Sequence, residues 1–564
     1  MGVGCTNVIG RVAAATGEID SVQTKFETLC DVQGGGVLLA LPALLMNGLL
    51  KFTKALFELP KGYYDLIHIF LVLSFMGLLR VKNIEQLRYY PPGEWGKVLG
   101  LDRIPEAKTL RRKVSLLADE RSVKEWGGQL AQYWMDKEPE SSGVLYVDGH
   151  VRVYHGSKTK LPRRYVARQK LAMRGVTDYW VNDGLGRPFF VISSPLTDGL
   201  QKVLFNDIVP QLLHDVPGQP DEAELKNNPY CSRFVIVFDR EGYSPELFCE
   251  MWKNRIACQT YRKYKYSLWS DTEFKTYSVK MPHGEIVTME LAEQGWFMGS
   301  KIWVREIRKK GKNGHQTSVL STDYEGEITS IAAHMFARWS QENFFKYMMV
   351  NYDLDGLTGY NLSPVDETKN VVNPDYRKLE GQIKSAAAKL ANRKVKLSEI
   401  FLKEDNLTDK EIGKYKRKKG DLLEEVEQLS QELDSLKSTR KETPKHIPLR
   451  QLPKEEQFHR IAPLRKQFLD TVKMIAYRSE TAMAQYLRGI LGRKDDARPL
   501  LRNLYKMSVD LDPDEANKTL TVKVHHFANP QSNRIIQKLC DELTLTETIY
   551  PGTNLTLIYK MVSK

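Results

Sequence analysis

Cysteine is scarce: there are six in a chain of 564 residues, and no two form a CxxC pair. That scarcity excludes the common zinc modules and a disulfide framework, and it points to a reducing, intracellular setting. Long apolar runs are lacking too. "GVLLALPALLMNGLL" (36–50) and "LIHIFLVLSFMGLL" (66–79) fall short of the roughly 18–20 residues that span a bilayer. Both read as buried helices, and no membrane partner is expected. Nor is there an excess of acid. Lys and Arg number 83 against 70 Asp and Glu, a net charge of +13 that favours a polyanionic partner, most simply nucleic acid. The other proportions, 42% hydrophobic and 27% charged, are those of an ordinary globular chain long enough for three or four domains.

The pattern changes along the chain. Residues 1–35 read as a lead segment without clear periodicity. From 36 to 140 the pattern is helical, with a turn at Gly100–Pro105 before a helix carrying Lys108, Arg111, Arg112 and Lys113. This suits either a helix-turn-helix-like DNA reader, with Arg111 and Arg112 on DNA, or a plain helical domain with a solvated basic face. Between 141 and 355 the period becomes that of strands, at 144–154, 176–182, 188–194, 233–238 and 256–261. "VNDGLGRP" is the hairpin turn between the second and third. Ser244 and Pro245 open a helix as N-cap and first helical residue. A strand-rich stretch at about 262–322 precedes a helix near Glu327. Residues 375–440 hold two heptad seams, Leu379 to Ile400 and Leu422 to Leu436, with Arg393 interrupting the first. They predict a helical hairpin, self-paired or pairing with another subunit. Residues 447–564 predict a further α/β unit.

Two strands end on acid. "VLYVDGHVRVYHG" places Asp148 after Leu145, Tyr146 and Val147, where burying a charge is costly. "FVIVFDREGYS" repeats the pattern, with Phe234 to Phe238 leading to Asp239. If the strands are neighbours, the carboxylates converge at one edge, repel, and raise each other's pKa unless a cation neutralises them. Magnesium suits such a hard-oxygen site. A third acid stands in "HMFARWSQENFFKYM", where Arg338, Glu342 and Lys346 share one helix face. That trio is either a salt-bridge ladder or a metal-binding glutamate between two phosphate-gripping cations.

The ordered set "YVDG", "VFDREG" and "RWSQENFFK" resembles the DDE transposases of bacterial insertion sequences. The resemblance covers about 145–350. It implies an RNase H-like mixed-sheet core at 141–355 with a β-rich insertion at about 262–322, within a multidomain α/β chain. It also implies Asp148, Asp239 and Glu342 as the catalytic, metal-binding triad, with two Mg2+ or Mn2+ ions assisting DNA cleavage and strand transfer. The partners implied are duplex DNA, both element ends and target, and a homodimer or higher oligomer assembled on it. The setting expected is cytoplasmic, at the nucleoid. In that family's glutamate helix a tyrosine and a lysine flank the arginine and glutamate. Here Met335 and Met349 hold those positions and Lys346 comes early, which leaves open whether a hairpin DNA end forms.

Seven cations and no acid lie between 158 and 174: Lys158, Lys160, Arg163, Arg164, Arg168, Lys170 and Arg174. Such a segment is suited to tracking a phosphate backbone. His150 and Arg152 share the strand face of Asp148, His150 as a hydrogen-bonded partner or, less simply, a metal ligand. Glu241 is the rival acid, an extra ligand or a substitute. "TYRKYKYSLW" (260–269) suits stacking on unpaired bases or ordinary strand packing, and "KYKRKK" (414–419) a solvated face or a DNA contact. Two alternatives stand beside the transposase reading: a structure-selective nuclease of the same superfamily, and a transposase-derived DNA-binding protein without turnover.

Overall fold

The computed structural model describes residues 6–156, 160–166, 169–194, 199–264, 266–356, 362–363, 370–401, 409–453, 460–461 and 464–562. The fold is mixed α/β and divides into two units. One comprises 1–154, 165–361 and 461–564; the other comprises 155–164 and 362–460.

The first unit is organised on a long mixed sheet. Its strands in chain order, after β1 (Leu29–Val32), are β2 (Val144–Val153), β3 (Leu171–Asn182), β4 (Pro188–Ser194), β5 (Phe234–Phe238) and β6 (Ile256–Tyr261). The stretch that follows adds β7 (Lys275–Lys280), β8 (Ile286–Met298), β9 (Ile302–Lys310) and β10 (Gln316–Ser321). They pair in the order β4-β3-β2-β5-β6-β10-β9-β8-β7, so these four strands continue the same sheet beyond β6. Strands β2, β5 and β6 run parallel, and β5 is buried at every position. Phe234, Ile236 and Phe238 enter one cluster while Val235 and Val237 enter another. A continuous apolar run is what a parallel strand covered on both faces requires.

The helices in chain order begin with α1 (Val8–Thr16), α2 (Leu41–Met46), α3 (Leu66–Leu78), α4 (Ala107–Leu117) and α5 (Glu120–Lys137). Then come α6 (Pro245–Lys253), α7 (Ile328–Phe336) and α8 (Trp339–Tyr352). Ser244 caps α6 as expected, its hydroxyl accepting from the Leu247 amide. The turn between β3 and β4 is also as expected. Asp183 accepts from the Leu185 and Arg187 amides, and Gly186 takes φ +79°. A Cβ there would stand 3.0 Å from the Ser340 carbonyl, so the turn can approach α8 only with glycine.

The second unit holds the hairpin of α9 (Pro374–Phe401) and α10 (Asp409–Glu442). Ala386, Leu390 and Leu433 are buried between the helices, flanked by Ile383, Val426, Leu429 and Leu436. Arg393 pairs with Glu425 across the seam. A short ladder, Asn370–Val372 against His446–Pro448, closes the base. The seams therefore pair within one chain.

The expected division into a lead at 1–35, a helical region at 36–140 and a separate unit at 447–564 does not hold. The chain continues with α11 (Leu464–Ile490), α12 (Ala497–Lys506), β11 (Val509–Asp514), β12 (Thr519–Val524), α13 (Pro530–Thr544) and β13 (Thr556–Met561). Strand β1 pairs with β11, Leu29 opposite Leu511, and joins the sheet β1-β11-β12-β13. Helix α3 is buried from His68 to Leu78, so it needs cover on all sides, and α11 supplies part of it. Phe468 of α11 meets Phe57, Phe70 and Trp126 at ring separations of 5.5–5.7 Å. Apolar faces far apart in sequence cover each other, and this merges the expected pieces into one core. No helix among the described residues is long and apolar enough to cross a membrane.

Candidate active site

Strands β2 and β5 are parallel neighbours with Val147 opposite Phe238, which brings Asp148 and Asp239 side by side at one edge. Four residue pairs, from Val144–Val235 to Val147–Phe238, hold this register.

The helical segment over this edge is broken where the sequence predicts one continuous face. Helix α7 ends at Phe336 and α8 starts at Trp339, with Arg338 as N-cap. The Tyr146 and Tyr261 hydroxyls donate to the His334 and Met335 carbonyls at 2.9 and 3.1 Å, satisfying the end of α7. Arg338 thereby reaches both aspartates, Nη2 lying 3.5 Å from Asp148 and Nη1 3.2 Å from Asp239. Glu342 follows in the first turn of α8, exposed, and Lys346 is exposed one turn later. Gln341 is buried and holds this turn in place. Its amide donates to the Asp183 carbonyl at 3.0 Å, and its oxygen accepts from Asn182 at 2.6 Å.

Burial pushes the Asp148 carboxyl up to about 6; Arg338 pulls it down, while Asp239 and Glu342 push it further up. Asp148 is 21% exposed, Arg338 14% and Asp239 54%, so the pair is sheltered on one side and open on the other. Two further acids therefore act on Asp148, which shares one cation with Asp239. Among the described residues, no three His, Cys, Asp or Glu side chains form a ready metal cage.

Other candidates fall elsewhere. Arg152 forms a buried pair with Asp178, Nη2 3.1 Å from Oδ1, and Ser193 also donates to that carboxylate at 2.6 Å. It is core structure, because a buried cation needs a fixed counter-ion. His150 Nε2 lies 2.5 Å from Asp355, and its ring stacks on Phe345 at 5.2 Å, a partner role. Glu241 accepts from the Leu200 amide at 3.1 Å, at the start of the helix Leu200–Val203, so its charge serves a helix N-terminus.

The basic run is divided. Lys158 and Arg168 lie outside the described residues; Lys160, Arg163 and Arg164 belong to the second unit, Lys170 and Arg174 to the first. Lys160, Arg163 and Lys170 are exposed. On α4, Arg111 and Arg112 are exposed, Arg111 standing 3.2 Å from Glu85. Lys113 is buried and donates to the Tyr64 carbonyl at 2.7 Å, so it is not available to DNA. In "TYRKYKYSLW" the packing reading describes Tyr266 and Trp269, whose rings lie 4.5 and 3.9 Å from the Arg308 guanidinium.

One feature had no local signal in the sequence. Glu480 of α11 is fully buried and binds two residues of the glutamate helix, Tyr347 and Tyr352, the latter at 2.6 Å. Arg80 Nη2 donates to it at 2.7 Å, and Arg498 stands 3.5 Å away. These residues are separated by up to several hundred positions, so no spacing rule could have joined them.

A family model described as "Transposase protein" matches residues 2–563. The chain belongs to this transposase family. No curated protein matches it. For a transposase, a strand-end edge carrying paired carboxylates and a shared arginine is the natural place to look for the chemistry. Membership also implies interaction with DNA.

Proposed function

We propose that this transposase cleaves and joins DNA at the edge where β2 and β5 end, in the manner of DDE enzymes with an RNase H-like core. Asp148, Asp239 and Glu342 are the acids that hold divalent cations. The observation that carries this reading is the parallel register that sets Asp148 beside Asp239 under one shared guanidinium. The donor set fits Mg2+ or Mn2+: all ligands are hard oxygens, the aspartates already converge on a cation, and Asp148 gains from a stronger counter-charge. When bound, such ions supply a nucleophile of lowered pKa and neutralise charge at the phosphate.

The chain's own residues do the rest. Arg338 and Lys346 grip phosphate oxygens beside Glu342, and a bidentate guanidinium also fixes orientation. Gln341 and the Glu480 cluster hold α8 rigid, so that the carboxylates meet the scissile phosphate in one geometry. Arg111, Arg112 and the described cations of the 158–174 run bind backbone phosphates and position the duplex. Because two element ends must be joined to one target, at least two protomers assemble on paired DNA, at the nucleoid.

A strand-transfer assay tests the reading. The full chain, with Mg2+ or Mn2+ and duplexes carrying the terminal sequences that flank its own gene, is expected to join a 3′ end to target DNA. Cutting without joining would favour the nuclease alternative. Binding without turnover would leave a DNA-binding derivative.

A further inference from the structure

Beyond Asp239 the sheet edge is notched. Val237 pairs with Gln259, so Asp239 and Tyr261, each two residues on, stand level on the face that α7 covers. Strand β6 ends at Tyr261, whereas β10 pairs with it through Val319 and runs on past that end to Gln316. Thr317 of β10 stands opposite Lys309 of β9, and a turn at 311–315 closes the pair. Gly314 takes φ +75° in that turn, and the Gly311 amide donates to the His315 carbonyl at 2.8 Å. The overhang leaves a cavity of about 440 Å³. Its chemistry comes from Arg240, Lys309, His315 and Asn313, and from the rings of Tyr261 and Phe336.

The cavity is cationic and its charge is not neutralised. Among the described residues no acid lines it, and Arg240, Lys309 and His315 have no ion-pair partner. Asp239, level with Tyr261, is engaged by Arg338 at 3.2 Å. Two of the cations rest on rings instead. The Arg240 guanidinium lies 5.8 Å from the Tyr261 centroid, and the Lys309 ammonium 4.5 Å from that of Phe336. A ring face attracts a cation without discharging it, so both keep their capacity for an anion. Asn313 is pinned through Oδ1, which accepts from the His315 amide at 3.2 Å and leaves the NH2 group to donate. Anion-binding groups beside two aromatic rings suit a phosphate attached to a flat ring system.

We propose that this cavity is a site for one nucleoside 5′-phosphate, its phosphate held by Arg240, Lys309 and His315 and its base set against Tyr261 and Phe336. Size limits the ligand: the cavity lies within the roughly 300–1,000 Å³ of small-molecule sites and admits no duplex. Inorganic phosphate would leave the rings unused. Because Tyr261 is level with Asp239, an occupant stands beside the edge where the two aspartates meet. The nucleotide comes either from the unpaired end of a DNA strand or from free solution, and the chemistry of recognition is the same. The inference does not depend on the carboxylate assignment.

The metal-free full chain is titrated by calorimetry with 2′-deoxyadenosine 5′-monophosphate, deoxyadenosine and inorganic phosphate. The monophosphate is expected to bind at least about tenfold more tightly than either fragment. R240Q and K309Q are each expected to weaken it roughly tenfold, as loss of one charge-assisted hydrogen bond does, with circular dichroism unchanged. K312Q, in the same turn but outside the cavity lining, is expected to bind like wild type. No binding to folded wild type overturns the proposal. So does equal affinity for either fragment alone, and so does an equal loss in K312Q, which would mean diffuse attraction. Competition identifies the source. Displacement by a duplex with a single-stranded tail, but not by the fully paired duplex, assigns the nucleotide to a strand, and displacement by neither assigns it to solution. Both outcomes uphold the site. Equal displacement by both duplexes overturns it, since the cavity would then belong to a duplex path. D148N is expected to bind the monophosphate as wild type does, so this site and the carboxylate assignment fail separately.

Discussion

Replacing Asp148 by Asn is expected to abolish DNA cleavage while the fold and DNA binding persist. The substitution keeps side-chain volume and removes one negative charge from a site where two carboxylates share Arg338. Loss of a ligand should exceed the roughly 10–100-fold cost of losing a group outside the ligand set. The variant carries a second signature, in metal-free protein. A carboxyl pushed up to about 6 binds its proton more tightly in the folded state than in the unfolded one, where it titrates near 3.9. Wild-type stability therefore falls as pH rises from about 4 to 6, and above that range Asp148 is a standing burden. D148N should be more stable than wild type at pH 8, by up to about 3 kcal/mol, and the gain should vanish below about pH 4. Denaturant melts at the two pH values, run beside a cleavage assay, check both. Near wild-type cleavage sinks the catalytic assignment, and an equal gain at both pH values sinks the electrostatic one.

Glu480→Ala is expected to destabilise the protein severely. Glu480 has no exposed surface and neutralises Arg80 and Arg498, which are only 11% and 16% exposed. Removing it leaves two sheltered guanidinium groups and two tyrosine hydroxyls without their acceptor, a loss on the order of 3–5 kcal/mol. Tyr347 and Tyr352 lie on α8, so the helix that carries Glu342 loosens with it. Glu480→Gln separates charge from shape. Burial by itself would raise the Glu480 carboxyl, but Arg80 and Arg498 outweigh that and hold it below the usual range. Its contribution is thus present above the unfolded value near 4.3 and is lost as pH falls through the lower, folded one. The stability gap between wild type and Glu480→Gln should be full at pH 7 and close on acidification below about 4. A gap that does not change with pH would mean that packing, rather than charge, holds the cluster.

The sequence by itself determined the local elements, because each carries its cause within a few residues. The apolar runs before Asp148 and Asp239 make buried strands, Asp183 and Gly186 make the hairpin turn, and Ser244 with Pro245 starts α6. The seam of the α9–α10 hairpin was equally legible from the spacing of its leucines. What depended on partners distant in sequence was not. Arg152 stood at the right period to face the site, yet Asp178 holds it in the core. Arg338 looked like part of a continuous helix, and only the hydroxyls of Tyr146 and Tyr261, from two other strands, end α7 before it and turn it onto both aspartates. The lead, the helical region and the C-terminal unit looked like three pieces. They form one core because α3 is apolar on every side and β1 needs the edge of β11. Propensity, capping and turn chemistry act over a handful of residues, so a sequence displays them directly. Which buried charge finds which counter-ion, and which apolar face covers which, is decided when the whole chain closes, and only the tertiary structure records it.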